Sequence, residues 1–114
     1  MPDHSSPLAS FTGQYDAQGR QIITARGELD LASLPPLTHA LTLAAVTGTP
    51  VILDLEAVTF ADSTALSLFL ATHQATALHL AAPGHLLRRL LEVTGTDQVL
   101  NLHPTLDDAR TATA

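Results

Sequence analysis

Residues 51–66 read VILDLEAVTFADSTAL, and this stretch decides how the rest of the chain is interpreted. It opens with Val51-Ile52-Leu53-Asp54-Leu55, a nearly continuous apolar run that is typical of a strand covered on both faces. Val58 to Asp62 then reads as a short connection, and a helix opens at Ser63. A buried strand that leads directly into a helix favours an α/β architecture.

The chain before this stretch predicts a hairpin. Phe11 to Tyr15 and Gln21 to Arg26 contain the aromatic and β-branched residues that strands prefer, and Gly19 lies in the turn between them. Gly27-Glu28-Leu29-Asp30 breaks the strand pattern, so the second strand is predicted to end before it. Residues 1–10 are polar and proline-containing, and we expect them to form a flexible lead.

A first helix is predicted between the hairpin and residue 51. Ser33 supplies a capping hydroxyl, and Pro35 and Pro36 stand in the first turn, where a missing N–H costs nothing. Gly48 can adopt the left-handed conformation that closes a helix. The spacing predicts an inward face made of Leu37, Leu41 and Ala44.

The chain after residue 66 predicts two more strands and two more helices. Ala77 to Ala81 and Val99 to Leu102 read as strands, a helix runs from Pro83-Gly84 to Gly95, and Thr105 opens a last helix over Leu106 to Arg110. The third helix is predicted to face inward with Leu86, Leu87, Leu90 and Leu91 and outward with Arg88 and Arg89. Residues 11–111 are therefore expected to form one α/β domain, with helices packed against a mixed sheet of four to five strands.

Composition narrows the classes of function. The 114 residues suffice for one core, and 46% hydrophobic against 14% charged residues favours a folded domain. A net charge of −6, with five basic residues in all, argues against binding of nucleic acid. Without a secretory signal or a long apolar stretch, we expect a cytoplasmic protein with no membrane contact.

The candidates for catalysis and metal binding are weak. Ser63 has no His or Lys nearby in sequence and no Gly-x-Ser-x-Gly elbow, so a nucleophile is not predicted. Glu28 and Asp30 could form an acid–base pair, although solvated acids in a turn are the simpler interpretation. The six histidines are scattered and cysteine is absent, so neither a metal nor a cofactor is expected. Arg88-Arg89 is either a solvated helix face or a docking contact.

Two segments in this order resemble STAS domains. The run from Val51 into Asp62-Ser63-Thr64-Ala65-Leu66 is similar to the family's buried strand leading into Asp-Ser-Ser/Thr-Gly-Leu, with Ala65 where the family usually has Gly. Gly27-Glu28-Leu29-Asp30 resembles the Gly-Glu-Leu/Ile-Asp that follows the family's second strand. The third helix, ending in Val93-Thr94-Gly95, and the closing strand also match, so the likeness spans residues 11–110 and implies a STAS-like fold.

Single-domain bacterial members similar to this chain are anti-sigma-factor antagonists, not enzymes. The resemblance implies that the unphosphorylated domain binds an anti-sigma factor with GHKL-type serine kinase activity and so releases sigma factor. Phosphorylation of Ser63 would end this binding, and a PP2C-type phosphatase would restore it, which makes the domain a partner-switching phosphoprotein. The implied partner surface consists of Asp30, Asp62, Ser63, Thr64, Ala65 and Leu66.

Other interpretations of the same residues stay open. Asp62-Ser63-Thr64 is also an ordinary helix cap, and a cap and a phosphorylation site are compatible. The resemblance fits two further roles as well: the STAS subunit of a bacterial phospholipid-transport ATPase complex, which docks through the same helix without phosphorylation, and a constitutive scaffold module in a signalling assembly.

Overall fold

A computed structural model describes residues 9–113, which form five strands and four helices. The strands are β1 (Ser10–Tyr15), β2 (Gln21–Leu29), β3 (Val51–Ala61), β4 (Leu78–Ala81) and β5 (Asn101–His103). The helices are α1 (Pro35–Thr47), α2 (Ser63–Ala75), α3 (His85–Thr94) and α4 (Leu106–Ala112), with a short 3-10 turn, Thr96–Gln98, after α3. Residues 1–8 of the expected flexible lead lie outside the described part, and Ser10 already belongs to β1.

The strands form one mixed sheet in the order β1-β2-β3-β4-β5, which confirms the predicted α/β architecture. β1 is antiparallel to β2, and the other neighbours are parallel. The helices α1, α2 and α3 connect the parallel strands and pack on one face, while α4 packs on the opposite face. β3 is central and covered on both faces: Leu53 and Leu55 meet the three helices, and Ile52 meets α4.

Two strands are longer than predicted. β2 continues through Gly27-Glu28-Leu29, and β3 continues through Val58 to Ala61, where a connection was expected. The two strands stay paired beyond irregularities between Thr24 and Arg26 and between Gly27 and Glu28. Gly27 has φ +84°, a conformation that glycine adopts without strain, so the strand bends there and does not end.

The predicted cap of α1 is wrong, whereas its inward face and its end are confirmed. The capping position is Leu34, which makes no side-chain cap, and Ser33 instead closes the turn that precedes the helix. Gly48 ends α1 with φ +71°. The buried residues of α1 are Leu37, Leu41 and Ala44.

Leu86 is a second correction. Its side chain is 71% exposed, while Leu87 is 6% exposed and Leu91 is fully buried. Leu87 and Leu91 are four residues apart, so they share the inward face of the helix. Leu86 precedes Leu87 by one residue and therefore lies to the side of that face, toward solvent. β5 is also displaced: it covers Asn101–His103 instead of Val99 to Leu102, and Val99 is exposed.

No helix among residues 9–113 combines the length and the apolar composition that crossing a membrane requires.

The orientation of α3 can be tested with two identical substitutions. Leu87→Ala should lower the free energy of unfolding by about 2–5 kcal/mol because it opens a cavity in the core. Leu86→Ala, with the same change in helix propensity, should cost within about 0.5 kcal/mol because the side chain is solvated. Urea unfolding measures both, and equal losses for the two variants would contradict this orientation.

Candidate functional site

Two carboxylates are brought together where β2 and β3 end. Leu29 pairs with Ala61 in the parallel register, and the next residue on each strand is Asp30 and Asp62. The Asp62 N–H donates to the Leu29 carbonyl at 3.2 Å, which closes the pairing at this edge. The carboxyl ends of parallel strands are the usual place for binding sites in α/β sheets. We refer to Asp30, Asp62 and Ser63 as the rim.

Asp62 caps α2. Its Oδ1 accepts the backbone N–H of Thr64 at 3.0 Å and of Ala65 at 3.4 Å, and it also accepts the Thr64 hydroxyl. The hydroxyl bond from Thr64, followed by these two backbone bonds, holds the pKa of the Asp62 carboxyl below its usual range, although partial burial opposes the shift. The ordinary-cap interpretation of Asp62 is therefore confirmed.

Ser63 is the first residue of α2 and is exposed to solvent. Its hydroxyl makes no hydrogen bond to any of residues 9–113. The first N–H groups of a helix lack partners inside the helix and carry a partial positive charge, so this position favours a negative group. Ser63 thus offers an accessible hydroxyl where the fold can accept a phosphate.

The Asp30 side chain is held in a tight turn. Its Oδ1 accepts the Ser33 N–H at 3.0 Å, and the Asp30 N–H donates to the Ser33 hydroxyl oxygen at 2.9 Å. The Ser33 hydroxyl in turn donates to the Glu28 carbonyl at 2.7 Å. This network fixes the half-buried Asp30 carboxylate at the end of β2, next to the strand end that Asp62 follows.

Three further predicted partner residues follow Ser63, and their side chains differ in access. Thr64 is half-buried and borders a cleft between α1 and α2. Ala65 is fully buried and Leu66 is 5% exposed, because both rotate toward the core. The side chains of Ala65 and Leu66 are therefore not accessible for direct contact with a partner. They instead pack the first turn of α2 against the core.

The cleft beside Thr64 was not found from the sequence. It measures about 540 Å³, and its walls come from the start of α1 and the start of α2. The apolar character of each segment is visible in the sequence, but their adjacency depends on the fold. The lining side chains are Leu31, Leu34, Pro35, Thr38, His39, Thr42, Thr64 and Leu68.

Two of the scattered histidines do meet, away from the rim. His79 Nδ1 lies 2.9 Å from His103 Nε2, and the two rings are stacked. Burial, and next the charge of His103, lower the pKa of His79. Within residues 9–113, no three His, Asp or Glu side chains are grouped closely enough to hold a metal ion.

The cap predicts a pH-dependent loss of stability. Asp62→Ala should lower the free energy of unfolding by about 1 kcal/mol at pH 7. Because folding lowers the pKa of Asp62, its charged contribution is present above the unfolded-state pKa of about 3.9 and is lost as pH falls through the folded value. The difference between Asp62→Ala and wild type should therefore shrink in acid.

Asp62→Asn is the matched control for this effect, since it keeps a capping oxygen without the charge. Its cost should be smaller than that of Asp62→Ala at neutral pH. Urea unfolding at a series of pH values, from pH 7 down to the lowest pH at which the domain still folds, measures the free energy of unfolding of both variants. A cost of Asp62→Ala that is the same at every pH would rule out a charged cap.

Comparisons with known proteins agree with this fold. The model of the STAS domain family matches residues 14–109. The anti-sigma-F factor antagonist RsfB of Mycobacterium tuberculosis is 32% identical over 112 residues, which cover 94% of this chain and 92% of RsfB. An anti-sigma factor antagonist from Mycobacterium paratuberculosis has a similar structure, with a TM-score of 0.84, 32% identity, and coverage of 95% of this chain and 97% of that one.

A more distant structure shares the fold. SpoIIAA in its unphosphorylated form superposes with a TM-score of 0.77 at 20% identity, covering 91% of this chain and 96% of its own. The sheet order, the capped start of α2 and the family match over residues 14–109 lead to one conclusion. This chain belongs to the STAS domain family.

Proposed function

We propose that this domain is an anti-sigma-factor antagonist that binds an anti-sigma factor through the rim and is inactivated by phosphorylation of Ser63. Two relatives with 32% identity across nearly their whole length are named as anti-sigma factor antagonists. The observation that carries the proposal is the exposed hydroxyl of Ser63 at the first position of a capped helix, beside two carboxylates.

A phosphate at Ser63 would be compatible with the fold. It adds about −1.5 to −2 charges at a helix N-terminus, where the dipole favours an anion. The Ser63 side chain is exposed, so no buried group has to move. The switch therefore acts on association and leaves the folded state in place.

The same phosphate would oppose binding. It lies next to Asp62 in sequence, and Asp30 occupies the neighbouring strand end, so a third anionic group joins an already acidic edge. Added bulk and charge would meet any acidic or closely packed part of a partner. A penalty of about 3–4 kcal/mol would weaken binding by two to three decades, which is enough for a switch.

The enzymes of this scheme are the partners, and the domain is their substrate. The anti-sigma factor carries a GHKL-type serine kinase activity and modifies Ser63, and a PP2C-type phosphatase removes the phosphate. The rim contributes recognition and an acceptor hydroxyl to this cycle. No residue of the domain is assigned a catalytic role.

Incubation with the cognate anti-sigma kinase and ATP tests the acceptor. Ser63→Ala should reduce phosphate incorporation to background, because Ser63 presents the accessible hydroxyl at the helix start. Ser67→Ala is the matched control: it removes another exposed serine from the same helix, and its labelling should equal that of wild type. Thr64→Ala should also leave labelling in place.

Phosphosite mapping of the labelled wild type completes this test. Undiminished labelling of Ser63→Ala would remove Ser63 as the acceptor. Tight binding of the anti-sigma factor with no labelling at all would contradict the switch and favour a constitutive docking module.

A further inference from the structure

The proposed function gives no role to the contact between His79 and His103. His79 lies on β4 and His103 on β5, where it is opposite Ala81 in the parallel register. Alternate residues of a strand point to the same face, so both histidines share the face of Ala81, which packs with α4. Both side chains are half-buried there.

The contact between the two rings has room for one proton. His79 Nδ1 lies 2.9 Å from His103 Nε2, so one of these nitrogens carries a hydrogen and the other accepts it. A neutral imidazole accepts through one nitrogen, and an imidazolium accepts through none. The pair can therefore bind a first proton on a nitrogen away from the contact and keep the hydrogen bond. A second proton would put N–H groups on both sides of the contact and a positive charge on each of two stacked rings.

Positive groups around the pair oppose the second proton. Burial, the largest effect, and then the charges of His103, His73 and Arg20 lower the pKa of His79. Arg20 precedes β2 and is 7% exposed, and His73 lies in the last turn of α2, where its Nδ1 accepts the Leu78 N–H at 3.4 Å. On α4, Arg110 is half-buried.

The acids of the surrounding elements are Asp16, Asp54, Asp97, Asp107 and Asp108. Asp16 is engaged by Arg20 at 2.6 Å, and Asp54 Oδ1 accepts the Glu56 N–H at 3.1 Å. Asp107 and Asp108 are exposed in the first turn of α4. Within residues 9–113, no acid forms a salt bridge with either histidine. A doubly protonated pair would therefore have no carboxylate to neutralise it.

The pair joins the last part of the chain to the sheet. We refer to residues 101–113, which contain β5 and α4, as the closing segment. β5 has only three residues, and its His103 carbonyl accepts the Ala82 N–H at 2.9 Å. α4 has seven residues and packs through Leu106 and Ala109. A short edge strand and a short helix have few contacts to replace a lost one, so the closing segment is expected to open before the rest of the domain.

We propose that the His79–His103 pair makes the attachment of the closing segment sensitive to pH: the pair holds β5 and α4 on the sheet at neutral pH, and binding of the second proton loosens them. Because folding lowers the pKa of His79, the destabilisation begins as pH falls below the unfolded-state value of about 6.5, and it grows until the folded value is reached. Carboxyl groups, with ordinary pKa values of about 4, stay charged over most of this range.

Native-state hydrogen exchange, followed by NMR at pH 7.5 and 5.0, tests the proposal. It needs no anti-sigma factor, so its outcome is independent of the proposed function. After correction for intrinsic exchange, the opening constant of amides in β5 and α4 should rise in acid by up to about 30-fold, the limit for a His79 that stays neutral in the folded state. At pH 5.0 these amides should open more often than those of β3. Equal opening constants for β3 and the closing segment would overturn the proposal.

The double variant His79→Gln/His103→Gln removes both titrating rings and should abolish the rise in opening between pH 7.5 and 5.0. The matched control is His39→Gln/His85→Gln, which removes two exposed histidines and should keep the rise. A rise that persists without the pair, or that is lost equally in the control, would contradict the proposal.

Side-chain ¹⁵N shifts of wild type in the same pH series give a second measurement, which decides the matter even if the double variant does not fold. His79 and His103 should titrate in two coupled steps, the second at lower pH than the titration of the exposed His39 and His85. Independent titration of all four histidines near pH 6.5 would overturn the proposal.

Discussion

The arrangement of the rim depends on the parallel pairing of β2 with β3. The pairing starts at Gln21 opposite Val51, passes two irregularities and holds as far as Leu29 opposite Ala61. Because both strands end at the same level, their next residues, Asp30 and Asp62, share one edge of the sheet. Without the bend that Gly27 permits, β2 would separate from β3 early and Asp30 would lie elsewhere.

In the proposed function, the start of α2 combines a structural and a recognition role at adjacent residues. Asp62 satisfies the N–H groups of Thr64 and Ala65 and holds the helix in place, and this leaves the Ser63 hydroxyl free to face solvent. A modification at Ser63 therefore acts on a rigid element. Its effect is expected at the surface, in the charge that a partner meets, since the burial of Ala65 and Leu66 anchors the first turn to the core.

Much of the fold could be predicted from the sequence, because strong local signals agree with the tertiary structure. The apolar run at 51–55, the glycine at position 48 and the threonine cap at position 105 all behave as expected. The extension of β3 was missed because its outer part is stabilised by pairing with β2, and such pairing is not local. The orientation of Leu86 was missed because consecutive leucines leave the phase of a helix undetermined. The resemblance pointed to Asp30 and Asp62, while the cleft beside Thr64 required knowledge of which helices are neighbours.

Amide NMR of the labelled, unphosphorylated domain during addition of the anti-sigma factor tests the central claim most directly. The account predicts that the largest signal changes fall on residues 30–33 and 62–65, which comprise the rim, the turn after Asp30 and the start of α2. Amides of α4, Leu106–Ala112, should change little, because this helix packs on the opposite face of the sheet. Changes concentrated on α4, with the signals of Asp30, Asp62 and Ser63 unaltered, would contradict the assignment of the rim as the binding site.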